Sequence, residues 1–404
     1  MSHKILILDT GKEWGGGTVS LIELLKRIDK NRYAFTALFY HNYNKGTESN
    51  IKKELENLGI NFILLPPRPK SIKYKIVKEA LRIFFFFSKA LRQYAIFWVD
   101  YFFRVKPKAK IIAQIIKELN IDLIYMNNQP ATNLEGILAA KITGIPAVLH
   151  CRTMPKLNRF LINQINGGLE KIICVSKNLK DFLLEKGVIP EKCVVVYDGI
   201  DINLIPSKSS EEIKQGLKLS EKEIIIGTVG TLRKIKRMDD LIEAIFLVKP
   251  KTDKPIKLVV VGDGPERNYL IELVQKRGLE KEVIFTGFQS DAISYINFFD
   301  IFVLASEREG LPRVILEAML MGKPVVASKI PGVVEQVIEG ETGFLVPPKN
   351  PQAFAEKILT LINDPELRRT LGERGRKRIL ERFAMERYVK EVEKVFEEVL
   401  RNDL

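Results

Sequence analysis

DIFVLASEREGLPRVILEAMLMGKPVVAS, residues 300–328, decides the fold of this chain. Its opening apolar run, 301–305, is unbroken, as expected of a strand covered on both faces. A polar loop, 306–312, follows, and an apolar pattern at helical spacing begins near Leu311. Pro312 suits a helix start, where the N–H it lacks would have no partner. A second apolar run at 324–328 completes a strand–helix–strand unit of a parallel sheet. Free N–H groups at the head of such a helix favour an anion such as a diphosphate. Glu309 lies on the loop and Glu317 in the helix, eight residues later. Glutamates at this spacing also occur on ordinary charged helices. Their placement at a strand end is what points to a site, with N–H donors for a diphosphate and carboxylates for sugar hydroxyls.

The same alternation runs outward from this stretch in both directions. Apolar runs at 4–9, 34–40, 122–126, 146–151, 171–175 and 193–197 read as one set of strands. Runs at 223–229, 256–261, 282–286, 300–305 and 324–328 read as another, with helical patterns such as 239–248 and 266–277 between them. The class is α/β, with two doubly wound Rossmann-like domains. Gly, Asp, Asn, Pro and Ser cluster at 198–210 and mark the break, giving domains 1–203 and 204–382. Open sheets of this kind bind ligands outside the carboxyl ends of their strands, so two facing domains would enclose a deep cleft. A charged helical pattern at about 377–401 ends the chain, and its part within 383–404 is placed to cross back onto the first domain.

With 46% hydrophobic and 28% charged residues in 404, the chain is neither disordered, nor collagen-like, nor a disulfide miniprotein. Its net charge of +14 suits an acidic partner. Three cysteines without a CxxC pair argue against a disulfide framework or a zinc site, and for buried thiols in the cytosol. The first apolar run is short and is followed by Lys12 with no small-residue cleavage site, so it reads as a strand and not a signal peptide.

SEREGLPRVILEAM (306–319) resembles the E-x7-E signature of retaining glycosyltransferases of family 4, which have the GT-B fold. IIIGTVGTLRKIKRMDDLIEAI (224–245) resembles that family's phosphate-binding strand–loop–helix, and KLVVVGDGPERNYL (257–270) the GDGP turn after it. VIFTGF (283–288), PGVVEQVIEGETGFLVPP (331–348), KIICVSKNLKDFLLEKG (171–187) and VVVYDGID (194–201) extend the likeness over 122–348. The resemblance implies that Glu309 bonds the transferred sugar and Glu317 the ribose hydroxyls. It implies that the backbone of Gly310, Leu311, Pro312, Arg313 and Val314 holds sugar and diphosphate, and that Lys236 neutralises the phosphates. Gly262 and Gly264 belong to the matching turn. Gly15, Gly16 and Gly17 match the family's glycine loop, although three glycines also make a plain tight turn.

Two departures stand out. Thr231 occupies the place of the family's usual arginine; either Arg233 substitutes, or Arg233 and Arg237 are surface charges. Arg152 stands where the family's cleft histidine is expected, with His150 two residues earlier on the same strand face. Either both reach the cleft as catalytic groups, or His150 is a satisfied strand-end residue. No D-x-D tripeptide occurs. The expectation is therefore a metal-independent transferase without a cofactor, its donor a UDP- or GDP-sugar. A nucleotide-sugar epimerase of the same fold and a silent nucleotide- or membrane-binding subunit are the competing readings.

One further stretch is unusual. Residues 68–110 hold twelve Lys/Arg and two acids, and eleven of the chain's aromatic residues. Phe84, Phe87, Leu91, Tyr94, Trp98 and Tyr101 recur at three- and four-residue spacing, which predicts one helical face, with Lys78, Arg82, Lys89 and Arg92 around it. A basic amphipathic helix of this kind reads as interfacial, in contact with an anionic membrane. The other reading is that the face packs on the protein's own sheet. Nucleic acid is disfavoured, because the aromatics cluster on a helix. Membrane contact would place the protein peripherally on the inner face of the plasma membrane, acting on a glycan or lipid-linked acceptor.

Overall fold

A computed structural model describes residues 2–12, 14–45, 49–65 and 72–401. The chain forms two compact units. The first comprises the chain as far as Cys174, Lys180–Val196 and the stretch from Val389 on; the second comprises Val175–Leu179 and Tyr197–Tyr388.

The first unit is built on seven strands: β1 His3–Asp9, β2 Tyr33–Phe39, β3 Asn61–Leu64, β4 Leu123–Asn127, β5 Ala147–Cys151, β6 Lys171–Cys174 and β7 Cys193–Val195. Their order is β3-β2-β1-β4-β5-β6-β7, and every pairing is parallel. The second unit holds six: β8 Ile224–Val229, β9 Ile256–Val261, β10 Val283–Gly287, β11 Ile301–Leu304, β12 Val325–Ser328 and β13 Gly343–Val346. Their order, β10-β9-β8-β11-β12-β13, is again all parallel. Parallel strands cross over through helices, which cover both faces, so Ile5, Leu6, Ile7, Leu8 and Phe302, Val303 are alike buried. In each sheet the winding reverses once, between β1 and β4 and between β8 and β11. Ligands bind at such reversals.

Two of the four edge strands of these sheets, β3 and β13, were not among the expected runs. Each has four residues, and β3 is half-exposed, so neither carries a long apolar signal. The single C-terminal helix expected at 377–401 is two, Pro365–Arg382 and Met385–Arg401. Between them Phe383 O accepts from Ile200 N (2.8 Å) and Met385 N donates to Ile200 O (3.0 Å), so this short extended stretch pairs with the backbone at Ile200. In the first unit, the end of the last helix brings the Phe396 ring to 5.7 Å from Tyr33 and 5.2 Å from Tyr125. Arg32 and Glu397 pair beside it at 2.7 Å.

The basic stretch is not one helical face. It forms a helical hairpin, Ile72–Phe84 and Lys89–Asp100, then a wide turn, Tyr101–Val105, leading into Lys106–Leu119. Ser88 breaks it: its side chain caps the second helix by accepting from Leu91 N. Pro107, with no N–H to donate, accompanies the widened turn. Phe84 and Phe87 therefore do not share a face with Leu91 and Tyr94. Trp98 and Tyr101 turn inward, with ring centroids 5.1 and 5.3 Å from Phe160. Arg68 and Lys70, at the start of the basic stretch, lie outside the described residues. No helix among the described residues is long and apolar enough to cross a membrane.

Candidate functional site

In the second unit the reversal point brings together two loops that are about seventy residues apart in sequence. β8 and β11 pair through Ile226 with Ile301 and Gly227 with Phe302, so the loops after them leave the sheet side by side. Glu307 N donates to Ile235 O at 2.9 Å and ties the two together. Beyond that tie, Lys236 Nζ donates to Glu309 Oε1 at 2.6 Å, with the two side chains 23% and 13% exposed. Two of the expected site residues therefore form one charged pair at a strand-end reversal.

The loop after β8 rests on the turn after β9. Gly230 N donates to Val261 O, and Leu232 N to Asp263 O at 3.0 Å. Gly262 has φ +137, and a Cβ there would lie 2.0 Å from Gly230 O, so only glycine fits. Gly264 lies against Leu232 in the same way. The two glycines let the turn after β9 seat the loop after β8.

The helix Arg313–Leu320 starts one turn past Glu309, with Pro312 as its cap residue and not its first helical residue. Gln336 Nε2 holds the Pro312 carbonyl at 3.1 Å. Leu311 is buried beneath, while Gly310 and Val314 are half-exposed. Within the helix Arg313 Nε meets Glu317 Oε1 at 3.0 Å. Burial pushes the Glu317 carboxyl up, and the Arg313 charge opposes the shift. Arg237 is not a loose surface charge: its guanidinium forks onto Asp240 at 2.9 and 2.6 Å. Arg233 is exposed and lines a cavity of about 330 Å³ with Lys234, Asp239, Glu266 and Tyr269.

The first unit carries a second cluster at its own reversal, which sequence reasoning found only in part. Asp9 ends β1 opposite Asn127 at the end of β4. The buried Asp9 carboxylate accepts from Asn127 Nδ2 (2.6 Å), Asn128 Nδ2 (3.0 Å) and Gly11 N (2.6 Å). Burial still raises its pKa, against these donors and the Arg152 charge. Asn127 Oδ1 in turn accepts from Arg152 Nε at 2.5 Å. Arg152 and His150 do share a side, with Arg152 Nη2 3.5 Å from His150 Nδ1. The histidine, however, is fully buried against Tyr125 OH at 2.6 Å. It thus has no exposed surface of its own. Gly17 lies in the first turn of the helix Gly16–Arg27, and a Cβ there would strike Arg152 Cδ at 2.8 Å; at Gly15 and Gly16 the space is open. Asp9, Asn127 and Tyr125 gave no sequence signal beyond being polar residues inside or closing apolar strands.

Burial first, and the Arg152 charge second, hold the His150 imidazole well below its ordinary range. The unfolded chain takes up this proton near pH 6.5 and the native chain does not. Stability should therefore fall as pH drops below about 6.5, by up to about 1.4 kcal/mol per pH unit from this group. Urea midpoints followed from pH 7.5 to 5.5 should show a shallower slope in His150→Gln. Equal slopes would mean that His150 is not the responsible group.

Among the described residues no group of three or more His, Cys, Asp or Glu side chains is arranged to hold a metal ion. The three cysteines are buried and free, and burial pushes the Cys151 thiol up to about 12.

Comparison with known proteins shows the family of the chain. The model for "Glycosyl transferases group 1" matches residues 209–378, and that for "Glycosyltransferase Family 4" matches residues 14–204. The N-acetyl-alpha-D-glucosaminyl L-malate synthase of Bacillus anthracis is 29% identical, over 79% of this chain and 85% of its own. The capsular polysaccharide biosynthesis glycosyltransferase CapM of Staphylococcus aureus is 30% identical, over 74% of this chain and 82% of its own. Among solved structures, Anabaena Alr3699/HepE in complex with UDP superposes with a TM-score of 0.78 at 26% identity, covering 98% of this chain and 100% of that one. With matching models over both of its units, the chain belongs to the group 1 glycosyltransferases and has the GT-B fold.

Proposed function

We propose that this chain is a retaining, metal-independent transferase that moves a hexose-type sugar from a UDP- or GDP-sugar to a glycan or lipid-linked acceptor. Its setting would be the synthesis of cell-envelope polysaccharide, lipopolysaccharide or glycolipid. The observation that carries this reading is the Lys236–Glu309 pair at 2.6 Å, set at the sheet reversal beside a helix N-terminus. A UDP donor is further supported by the Anabaena relative, whose structures hold UDP and UDP-glucose.

In this reading Glu309 accepts from a hydroxyl of the transferred sugar, and Glu317 from the ribose. Lys236, as a compact cation, stabilises the diphosphate as its negative charge grows on leaving. Backbone N–H groups over 310–314 assist it, and Arg233 adds charge from the rim of its cavity. Within the first unit, Gly15–Gly17 and Arg152 form the other phosphate-compatible group, the missing side chains at Gly15 and Gly16 leaving room for phosphate. The bond from the anomeric carbon to the diphosphate breaks, and the acceptor hydroxyl adds on the face that it leaves. The hydroxyl proton passes to the departing oxygen, so a nucleoside diphosphate is released. Rate enhancement then comes from positioning and leaving-group stabilisation, without a covalent nucleophile. The acceptor would be met at an anionic membrane on its cytoplasmic side.

NMR of the protein with a panel of UDP-, GDP- and ADP-sugars tests this. One donor should slowly release its nucleoside diphosphate, and EDTA should leave the rate unchanged. A new sugar nucleotide would instead indicate an epimerase. Loss of release with EDTA, restored by a divalent cation, would overturn metal independence.

A further inference from the structure

More than half of the large apolar side chains exposed among the described residues lie between Ile72 and Phe103. At the tip of the hairpin Phe84, Phe86 and Phe87 are 69, 78 and 65% exposed. Their close ring neighbours are one another and Phe85, with Phe84–Phe85 at 4.9 Å and Phe86–Phe87 at 5.8 Å. The first helix adds a stripe at i, i+4, i+8 and i+11, Ile72, Ile76, Ala80 and Ile83, all of it exposed. Its opposite side is the packed one. Tyr74 is buried there, and its hydroxyl donates to Asp100 Oδ1 at 2.6 Å.

Charge surrounds this apolar end. Lys73, Lys75, Arg82 and Lys89 are exposed. The two acids of the stretch are already engaged, Asp100 by Tyr74 and Lys78 (3.3 Å) and Glu79 by Arg82 (3.0 Å). The base of the hairpin is anchored by Trp98 and Phe97 on Phe160. The result is a fixed stem, an uncovered aromatic tip and a collar of cations.

We propose that the tip, residues 84–88, and the exposed stripe of Ile72–Phe84 insert into the headgroup boundary of an anionic lipid bilayer, with the cations on lipid phosphates. This rests on the membrane part of the reading above and names the element responsible. A bilayer fits better than a second copy, because two copies meeting tip to tip would bring the same cations face to face. Aromatic side chains at an interface together with adjacent Lys and Arg form the usual anchoring pair of a lipid surface.

The test is vesicle flotation of the full chain, with phosphatidylcholine alone or in equal parts with phosphatidylglycerol. The chain should float at least tenfold better with the anionic vesicles. Phe84→Ser/Phe86→Ser/Phe87→Ser should lower that binding at least tenfold while keeping its circular dichroism and UDP affinity, since these side chains support no core. Lys73→Gln/Lys75→Gln/Arg82→Gln/Lys89→Gln should abolish the lipid preference. In Phe86→Trp, brominated lipids should quench the added fluorescence. If the parent does not float, the membrane reading itself is wrong. If it floats and the triple-serine variant floats equally, the hairpin assignment fails and the membrane reading stands. A parent that sediments as a dimer and ignores vesicles, with a monomeric triple-serine variant, would assign the tip to a second copy.

Discussion

Glu309→Ala is expected to lower sugar transfer by about 10²–10³-fold, with little change in fold. That is the effect of removing one preorganised group aimed at the reacting centre, about 2.7–4 kcal/mol. Lys236→Ala should cost a similar factor, because the diphosphate loses its cation and Glu309 loses its partner. The double variant should be no worse than about threefold below either single one, since both groups act as a unit. Single-turnover rates with the donor found in the NMR panel measure all three. Losses that multiply would show that the pair does not act together. A Glu309→Ala enzyme within threefold of the parent would remove the central claim.

Gly332→Ala should destabilise the second unit by at least about 2 kcal/mol and also lower activity. Gly332 has φ +83 and ψ −46 just before the short helix Val333–Gln336. A Cβ there would lie 1.7 Å from Gly310 O and 2.6 Å from Gly310 C, so the whole Glu309–Pro312 loop must move. Gln336, fully buried in the same helix, holds that loop through the Pro312 carbonyl. Strain and displacement thus fall on the residues that carry the Lys236–Glu309 pair. Urea unfolding and donor-dependent turnover should both report the change. Normal stability with normal turnover in the variant would mean that the close approach is not present in solution.

Much of the molecule was legible in the sequence because its signals are local. Continuous apolar runs such as 301–305 identify strands buried on both faces, and helical patterns between them require parallel crossovers. Glu309, Pro312 and Glu317 fall within nine residues, so one loop and one helix start reveal their relation. Where the signal was short, it was missed: β3 and β13 have four residues each at sheet edges. The aromatic spacing of 84–101 suggested a single helical face because period alone does not register a cap. Ser88 ends that continuity with one hydrogen bond.

Asp9 and its asparagine partners were illegible for a different reason. Asp9 and Asn127 are 118 residues apart, and Asn127 and Arg152 are 25 apart. They meet because β1 pairs with β4, and β4 with β5. Sequence determined most of the strands and helices, and which loop carries the acidic signature, since periodicity and turn chemistry are properties of neighbours along the chain. Strand order, the burial of His150, the meeting of Lys236 with Glu309 and the exposure of the phenylalanine tip were decided by tertiary structure alone. Those depend on which surfaces remain uncovered once the sheets have chosen their partners, and no local pattern encodes that choice.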